Sequence, residues 1–245
     1  MKLIINGAGG RMGKALRAAI AEREDLQIAA AIDPFVEEEG MLKSLQEFTG
    51  DADCIVDFSN HAGTADLLSY ATGRKIPVMI ATTGHTAEEM AAISAAAKEI
   101  PVFHSGNMSL GIALLAQLVQ QTVALVPHAD VEIVESHHNQ KLDVPSGTAL
   151  MLARAVQAAR PEAQILVGRH ENGKRTKQEV GIHSLRMGNT VGIHEVLINT
   201  GTQIITLKHE AQDRGLFAEG ALSAAEFLAA QKPGLYNMDH IVKRG

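Results

Sequence analysis

The 245-residue chain contains no tryptophan and only 3% aromatic residues, so it lacks the stacking platforms that hold nucleic-acid bases. Nor has it a basic run that could track a phosphate backbone: 22 Lys and Arg stand against 28 Asp and Glu, a net charge of −6. One cysteine excludes an intramolecular disulfide framework and suits a reducing compartment. Long apolar runs are missing too. The stretch GIALLAQLVQQTVALV is broken by glutamines and falls short of a membrane span. The opening MKLIINGAGG reaches glycine after a few apolar residues, without the h-region of a secretory signal. These absences point to a cytoplasmic protein with no nucleic-acid and no membrane partner.

What is present fits an ordinary globular chain, 46% hydrophobic and 20% charged, long enough for one large domain or two small ones. The first half alternates short β-branched runs with alanine-rich helical ones, the βαβ rhythm of a parallel sheet. Strands are expected at 2–6, 27–33, 53–59, 77–82 and 101–105. Helices are expected at 10–22, at about 61–73, and at 86–99, where Thr86 and two early glutamates supply cap and dipole chemistry. After Ser109 the rhythm changes. A long helix over 109–126 leads to a strand at 130–136, a helix at 147–160, and three β-rich runs at 181–188, 193–199 and 202–211. Gly188-Asn189-Thr190 and Thr200-Gly201-Thr202 read as hairpin turns between those runs. This is antiparallel α+β patterning, and it places a domain boundary near Asn107–Ser109. A helix at about 216–230 and a short segment that could rejoin the first domain end the chain.

NGAGGRMG follows the first strand and opens the first helix, the setting a dinucleotide fingerprint requires. Gly7 and Gly9 allow a tight turn and close approach to a pyrophosphate, and the helix start beyond them favours negative charge. The strict spacing is not met, because Met12 stands where a third glycine belongs and Gly13 follows it. Asp33 ends the second strand about 20 residues past the loop, where an acid accepts hydrogen bonds from adenosine ribose hydroxyls. Loop and acid together favour a nicotinamide cofactor. Asp33 leans the choice to NAD, while Arg11 and Lys14 keep NADP open. Ala81-Thr82-Thr83-Gly84, at the end of the fourth strand, reads equally as a cofactor contact or as a strand-to-helix turn.

The segment ESHHNQKLDVPSGTA, 135–149, is the least generic in the chain. Adjacent strand residues point to opposite faces, so His137 and His138 are poorly placed to share a metal, and no cysteine or HxxxH partner lies nearby. Two readings stay open on chemistry alone. One is a polar loop. The other, favoured, is a site for an acidic substrate: Ser146 would cap a helix whose first residues, Gly147 and Thr148, offer free N–H groups, with Lys141 adding positive charge.

The whole segment resembles the defining motif of the dihydrodipicolinate reductase family, E-(A/S)-H-H-x-x-K-x-D-x-P-S-G-T-A. The similarity extends over the chain through GAGGRMG, VDFS (56–59), ATTG (81–84), SGNMSLGI (105–112) and HEAQDRGLFAEGAL (209–222), in the family's order. Two departures stand out. Asn60-His61 follow DFS where the family often has a proline, and the region between the second and third strands is short.

The resemblance implies an NADH- or NADPH-dependent reduction of (4S)-4-hydroxy-2,3,4,5-tetrahydrodipicolinate to tetrahydrodipicolinate, on the diaminopimelate route to lysine. It implies His137 as proton donor and acceptor and Lys141 as a second proton donor. His138, Ser146, Gly147 and Thr148 would bind the substrate carboxylates, with Arg214 a weaker candidate and Asp143 a shaper of the loop. Cofactor contacts would come from Gly7, Ala8, Gly9, Gly10, Arg11, Met12, Asp33, Ala81, Thr82, Thr83, Ser105, Gly106, Asn107 and Met108. The implied fold is α/β: a Rossmann-type parallel sheet over 1–108, completed by about 216–245, and a substrate-binding and tetramerisation domain with a mixed sheet over 109–215. Hinges near 107–109 and 213–217 would close the domains of a homotetramer. Two rivals remain: a semialdehyde dehydrogenase, which would need Cys54 as nucleophile although it sits inside an apolar strand, and a nicotinamide-binding redox sensor without catalysis.

Overall fold

Alternating β-branched and alanine-rich segments do build a parallel sheet at the start of the chain. The computed structural model describes residues 1–243; Arg244 and Gly245, the tail of the segment expected to complete the first domain, lie outside the described residues. The elements begin β1 (Lys2–Asn6), α1 (Arg11–Ala21), β2 (Gln27–Ile32), β3 (Met41–Leu42), β4 (Cys54–Asp57), α2 (Thr64–Arg74) and β5 (Val78–Ile80). They continue with α3 (Ala87–Ala96), β6 (Pro101–His104), α4 (Leu110–Leu125), β7 (Asp130–His137), α5 (Gly147–Ala159) and β8 (Gln164–Val167). Last come β9 (Glu179–Arg186), β10 (Gly192–Asn199), β11 (Ile204–Ala211), α6 (Gly215–Ala229), β12 (Gly234–Tyr236) and α7 (Met238–Val242). They form two units, Met1–Ser109 with the segment from Gly215 onward, and Leu110–Arg214.

The first unit is a seven-stranded parallel sheet in the order β12-β6-β5-β4-β1-β2-β3. Its central strands are buried on both faces, which is why they read as continuous apolar runs such as Leu3-Ile4-Ile5 and Cys54-Ile55-Val56. Chain order reverses at β1, between β2 and β4, and such a switch point is where open α/β sheets bind ligands. The loop leaving β1 turns through Gly7 at φ +81°, a conformation that disfavours any side chain. Thr86 and Glu89 close the start of α3 with a reciprocal capping box. The helix expected at 61–73 begins instead with a 3-10 turn over His61–Gly63. After the second unit, α6 packs beside α1 and across β4, β5 and β6, and β12 adds to the β6 edge.

The second unit holds a mixed sheet, β11-β10-β7-β9-β8. Its core-facing rows are Val131 and Ile133 of β7, Val180 and Ile182 of β9, and Val196 and Ile198 of β10; they pack on Val119 of α4 and on Leu152 and Val156 of α5. The expected turn at 200–202 is real: β10 and β11 pair antiparallel, and Gly201 has φ +95°. The turn expected at 188–190 is not a hairpin. β7 lies between the two runs, parallel to β9 and antiparallel to β10, so β9 and β10 are not partners. Close spacing in sequence suggested pairing; a central strand supplied from earlier in the chain overrides it. Edge strands β3, β8 and β12 were not anticipated, being short and only partly buried.

α1 approaches the glycine loop so closely that a Cβ on Gly13 would lie 2.2 Å from the Gly7 carbonyl oxygen and 2.6 Å from the Ala8 Cα. Backbone cannot yield there as a flexible side chain would. Gly13→Ala is expected to destabilise the chain by about 1–3 kcal/mol through overpacking. Gly73→Ala, where nothing lies within 4 Å of a new Cβ, should be neutral or stabilising. Denaturant midpoints followed by circular dichroism separate the two, and equal midpoints would refute the close-packing account.

Candidate active site

In β7 the apolar, core-facing row Val131-Ile133 continues as Glu135 and His137, because alternate strand residues share a face. The neighbouring rows change character at the same level. Ser184 and Arg186 continue the Val180-Ile182 row of β9, with Ser184 opposite Glu135 and Arg186 opposite His137. His194 precedes Val196 in β10 and also stands opposite Glu135. One end of the sheet is therefore polar on its covered face, and the N-terminus of α5 meets it there.

Glu135 is the centre of that group, with 0% exposure. Arg186 grips it bidentately, Nη1 donating to Oε2 at 3.0 Å and Nη2 to Oε1 at 2.9 Å. The Ser146 N–H donates to Oε1 at 3.3 Å, and His137 Nδ1 lies in short contact with Oε2. Burial pushes the Glu135 carboxyl up, but Arg186, Ser184 and His137 outweigh it and hold it down at about 2. For His137, burial pulls the imidazole below its ordinary value and Glu135 opposes part of that fall. With Nδ1 held by the carboxylate, Nε2 is the ring atom left to work, and it stands 3.1 Å from where a Cβ on Gly192 would be.

Arg186 also donates to the Asp143 carbonyl at 2.7 Å, fastening the loop that carries Lys141. Lys141 Nζ pairs with Asp143 at 2.9 Å within this loop. Ser146 caps α5: its hydroxyl accepts the Ala149 N–H at 3.1 Å and contacts His194 Nε2 at 3.2 Å. Ser146 is buried at 2% exposure with its hydroxyl facing the helix, whereas Gly147, the first residue of the helix, is exposed. His138 is half-buried, with its carbonyl taken by the Lys141 N–H.

Glu135, His137 and His194 are the described residues grouped closely enough to hold a metal, their ligand atoms lying within 4.8 Å of one another. Arg186 already occupies both oxygens of Glu135, which places a fixed positive charge against any cation there. Glu135, Arg186 and His194 carried no role in the sequence reading. Glu135 could have been found, since it stands two residues before His137 on one strand face. Arg186 and His194 depend on pairing between distant segments, and nothing local announces them.

In the first unit, the N–H groups of Gly7 and Ala8 both donate to the Ile32 carbonyl, and that of Gly10 to the Gly7 carbonyl. The Gly9 N–H donates to Asp33 Oδ2 at 3.0 Å. Among the loop residues it is therefore Arg11 and Met12, with Gly13, whose N–H groups the helix leaves for a ligand. Beside them opens a cavity of about 610 Å³ lined by Gly7, Gly10, Asp33, Phe35 and Lys43 among others. Asn60, at the family departure, lines it too. A glycine turn, a helix start and a strand-end acid around one cavity fit a dinucleotide.

Thr82 donates to Asp57 at 2.6 Å, and Asp57 also takes Asn6 at 2.7 Å and the Ser59 hydroxyl at 2.6 Å; this hub ties the ends of β1, β4 and β5. Ala81 is half-buried and Thr83 exposed beside it. Ser105 and Asn107 close a local turn through the Ser105 hydroxyl around exposed Gly106, and Met108 is buried. Cys54 is buried and its thiol is pushed up to about 12, so it is no nucleophile. Among the described residues, no helix is long and apolar enough to cross a membrane.

Comparison with known proteins gives consistent matches. The family model for the N-terminus of dihydrodipicolinate reductase matches residues 1–108, and that for its C-terminus matches residues 111–242. A 4-hydroxy-tetrahydrodipicolinate reductase of Caldanaerobacter subterraneus is 44% identical, covering 100% of this chain and 99% of its own. One of Clostridium novyi is 40% identical over 99% and 98% of the two chains. In fold, the dipicolinate-bound dihydrodipicolinate reductase from Paenisporosarcina sp. TG-14 superposes with a TM-score of 0.84 at 24% identity, over 98% of this chain and 99% of that one. With both family models matched end to end and full-length relatives at this identity, the chain belongs to the dihydrodipicolinate reductase family.

Proposed function

We propose that this chain reduces (4S)-4-hydroxy-2,3,4,5-tetrahydrodipicolinate to 2,3,4,5-tetrahydrodipicolinate, using NADH by preference and NADPH as well. The observation that carries the chemistry is His137 held through Nδ1 by a buried, ionised Glu135, in an oxidoreductase family that binds a pyridine nucleotide. A bound nicotinamide supplies the hydride. The substrate's 4-hydroxyl leaves as water, the hydride adds at C4, and His137 Nε2 delivers the proton; an imidazole pulled below its ordinary pKa is the stronger acid whenever it carries that proton. Lys141, held close by Asp143, is the second proton source. His138 and the α5 start, Ser146 to Thr148, receive the carboxylates; Ser146 acts by capping the helix, while the N–H groups of Gly147 and Thr148 and the Thr148 hydroxyl bind.

On the cofactor side, the turn Gly7 to Met12 receives the pyrophosphate, with Arg11 and Met12 supplying the N–H donors and the glycines the close approach, and Asp33 receives the adenosine ribose, which favours NADH. Ala81 to Thr83 and Ser105 to Met108 line the nicotinamide end. We place this function in units 1–108 with about 216 onward for the nucleotide, and 109–215 for substrate and assembly. Leu185 and Ile204 are exposed on the sheet face opposite the core rows, which supports assembly into a homotetramer through that face. A sedimenting mass equal to one 26.1 kDa chain would exclude it.

Steady-state rates with freshly generated substrate and reduced nucleotide test the assignment. His137→Gln should lower kcat by at least about tenfold while leaving the Kd for NADH near the wild-type value, since only the proton step is removed. In the same series Thr148→Val should raise KM. A chain that oxidises neither nucleotide with this substrate would refute the reading and leave the redox-sensor alternative standing.

The pH profile tests the Glu135 contact separately. Glu135 raises the His137 pKa against the larger effect of burial, so Glu135→Gln should let it fall further. A proton donor is active below its pKa, and the limb on which kcat/KM is lost with rising pH should therefore move to lower pH. A limb that stays in place in a folded Glu135→Gln variant would show that the contact does not govern the donor.

A further inference from the structure

The cavity beside the glycine loop contains a cation outside the loop and outside α1. β3 runs parallel to the end of β2, with Ala31 opposite Met41 and Ile32 opposite Leu42, and the Asp33 N–H donates to the Leu42 carbonyl at 2.9 Å. The residues that follow the two strands, Asp33 and Lys43, therefore leave the same sheet edge side by side. Both line the cavity, together with Phe35 and Ser44.

Their commitments differ. Asp33 is 7% exposed and accepts two backbone donors, Gly9 N–H on Oδ2 and Phe35 N–H on Oδ1, each at 3.0 Å. Half of its accepting capacity braces the loop, and its charge is partly balanced by those donors. Lys43 Nζ donates to the Val36 carbonyl at 3.1 Å and pairs with Glu37 at 2.7 Å. The Glu37 side chain is 91% exposed, so that pair is solvated and holds the ammonium weakly. The other cations near this edge are placed differently. Arg17 gives both terminal nitrogens to Glu38, and neither Arg11 nor Lys14 lines the cavity.

Resting on the pyridine-nucleotide reading above, we propose that Lys43 recognises the 2′-phosphate of NADPH and is what lets a site built around Asp33 accept both nucleotides. A dianionic phosphate beside Asp33 meets like charge, and a flexible ammonium on the adjacent strand end offsets it. NADH brings no such charge and makes no such demand. Discrimination then resides in two neighbouring strand ends: Asp33 serves the ribose common to both cofactors, and Lys43 serves the group that only one carries.

Titration calorimetry on the intact wild-type, Lys43→Gln and Lys14→Gln chains tests this with NADPH, NADH, adenosine 2′,5′-bisphosphate and AMP. Loss of one charge-assisted contact should raise the ratio of Kd for NADPH to Kd for NADH by about fivefold or more in Lys43→Gln, and by less than about twofold in Lys14→Gln. The bisphosphate-to-AMP ratio should change in parallel, which isolates the adenosine end from the nicotinamide. An unchanged ratio in Lys43→Gln, or the loss appearing in Lys14→Gln instead, would overturn the proposal while leaving cofactor binding intact. A wild-type chain that binds neither NADH nor NADPH would overturn the underlying reading as well.

Discussion

A carboxylate with no access to water governs the second unit. Desolvation on its own would protonate Glu135, and a neutral acid there could neither hold Arg186 nor fix the His137 ring. The bidentate guanidinium, the Ser146 N–H and the imidazole keep it ionised, and each donor belongs to a different part of the fold. Arg186 comes from β9, Ser146 from the start of α5, and His137 from β7 itself. Through the Asp143 carbonyl, Arg186 also reaches the Lys141 loop. One buried charge thereby registers a strand pair, a helix cap and a loop against each other. Its value is not stability as such, because a well-packed apolar set can replace a buried ion pair with little loss. What an apolar set cannot supply is an acceptor for His137 Nδ1, and that requirement explains a charged pair in a core.

The first unit solves a related problem with uncharged donors, backbone N–H groups at Asp33 and side chains at Asp57. Asp33 and Asp57 are both buried acids at the carboxyl edge of a parallel sheet, and each is satisfied mainly from nearby loops. Asp33 ties the glycine turn to the end of β2, and Asp57 ties β1, β4 and the segment after β5. The switch point is thus held by polar crosslinks on the side where a ligand enters and by apolar packing below. Gly13 sets the distance between loop and helix, so the first-turn N–H groups of α1 are fixed relative to the acid.

Elements whose cause is local were legible in the sequence. The strand-glycine-helix start, the Thr86–Glu89 box and the Ser146 cap each depend on residues within a few positions, and each lies where pattern and chemistry place it. The 135–149 motif declared its importance through the resemblance it carries. Elements that depend on register between distant segments were not legible. β7 sits between β9 and β10, so the 188–190 turn joins strands that never pair, and nothing in the turn residues encodes that. Arg186 reaches Glu135 across 51 positions of chain, and Lys43 reaches the Asp33 edge only because a two-residue strand pairs beside β2. Spacing picked out Asp33 at the end of β2 and could not say that two of its lone pairs are taken by the Gly9 and Phe35 N–H groups.

The two imidazoles at the polar end of the sheet show how environment divides one residue type into two functions. His137 and His194 pack edge to face with ring centroids 5.1 Å apart, and His194 is the more deeply buried of the two. Only His137 has the carboxylate in contact, and that contact resists the effect of burial. Burial pulls His194 down to about 4, with the nearness of His137 adding to the fall. At neutral pH His194 is an uncharged ring that meets the Ser146 hydroxyl, and protonating it would set a positive charge against the neighbouring His137 ring. A neutral neighbour adds no charge against His137, the member of the pair that the carboxylate holds. Deeper burial lowers His194 more, the direct carboxylate contact resists the fall at His137, and strand register decides which histidine receives that contact.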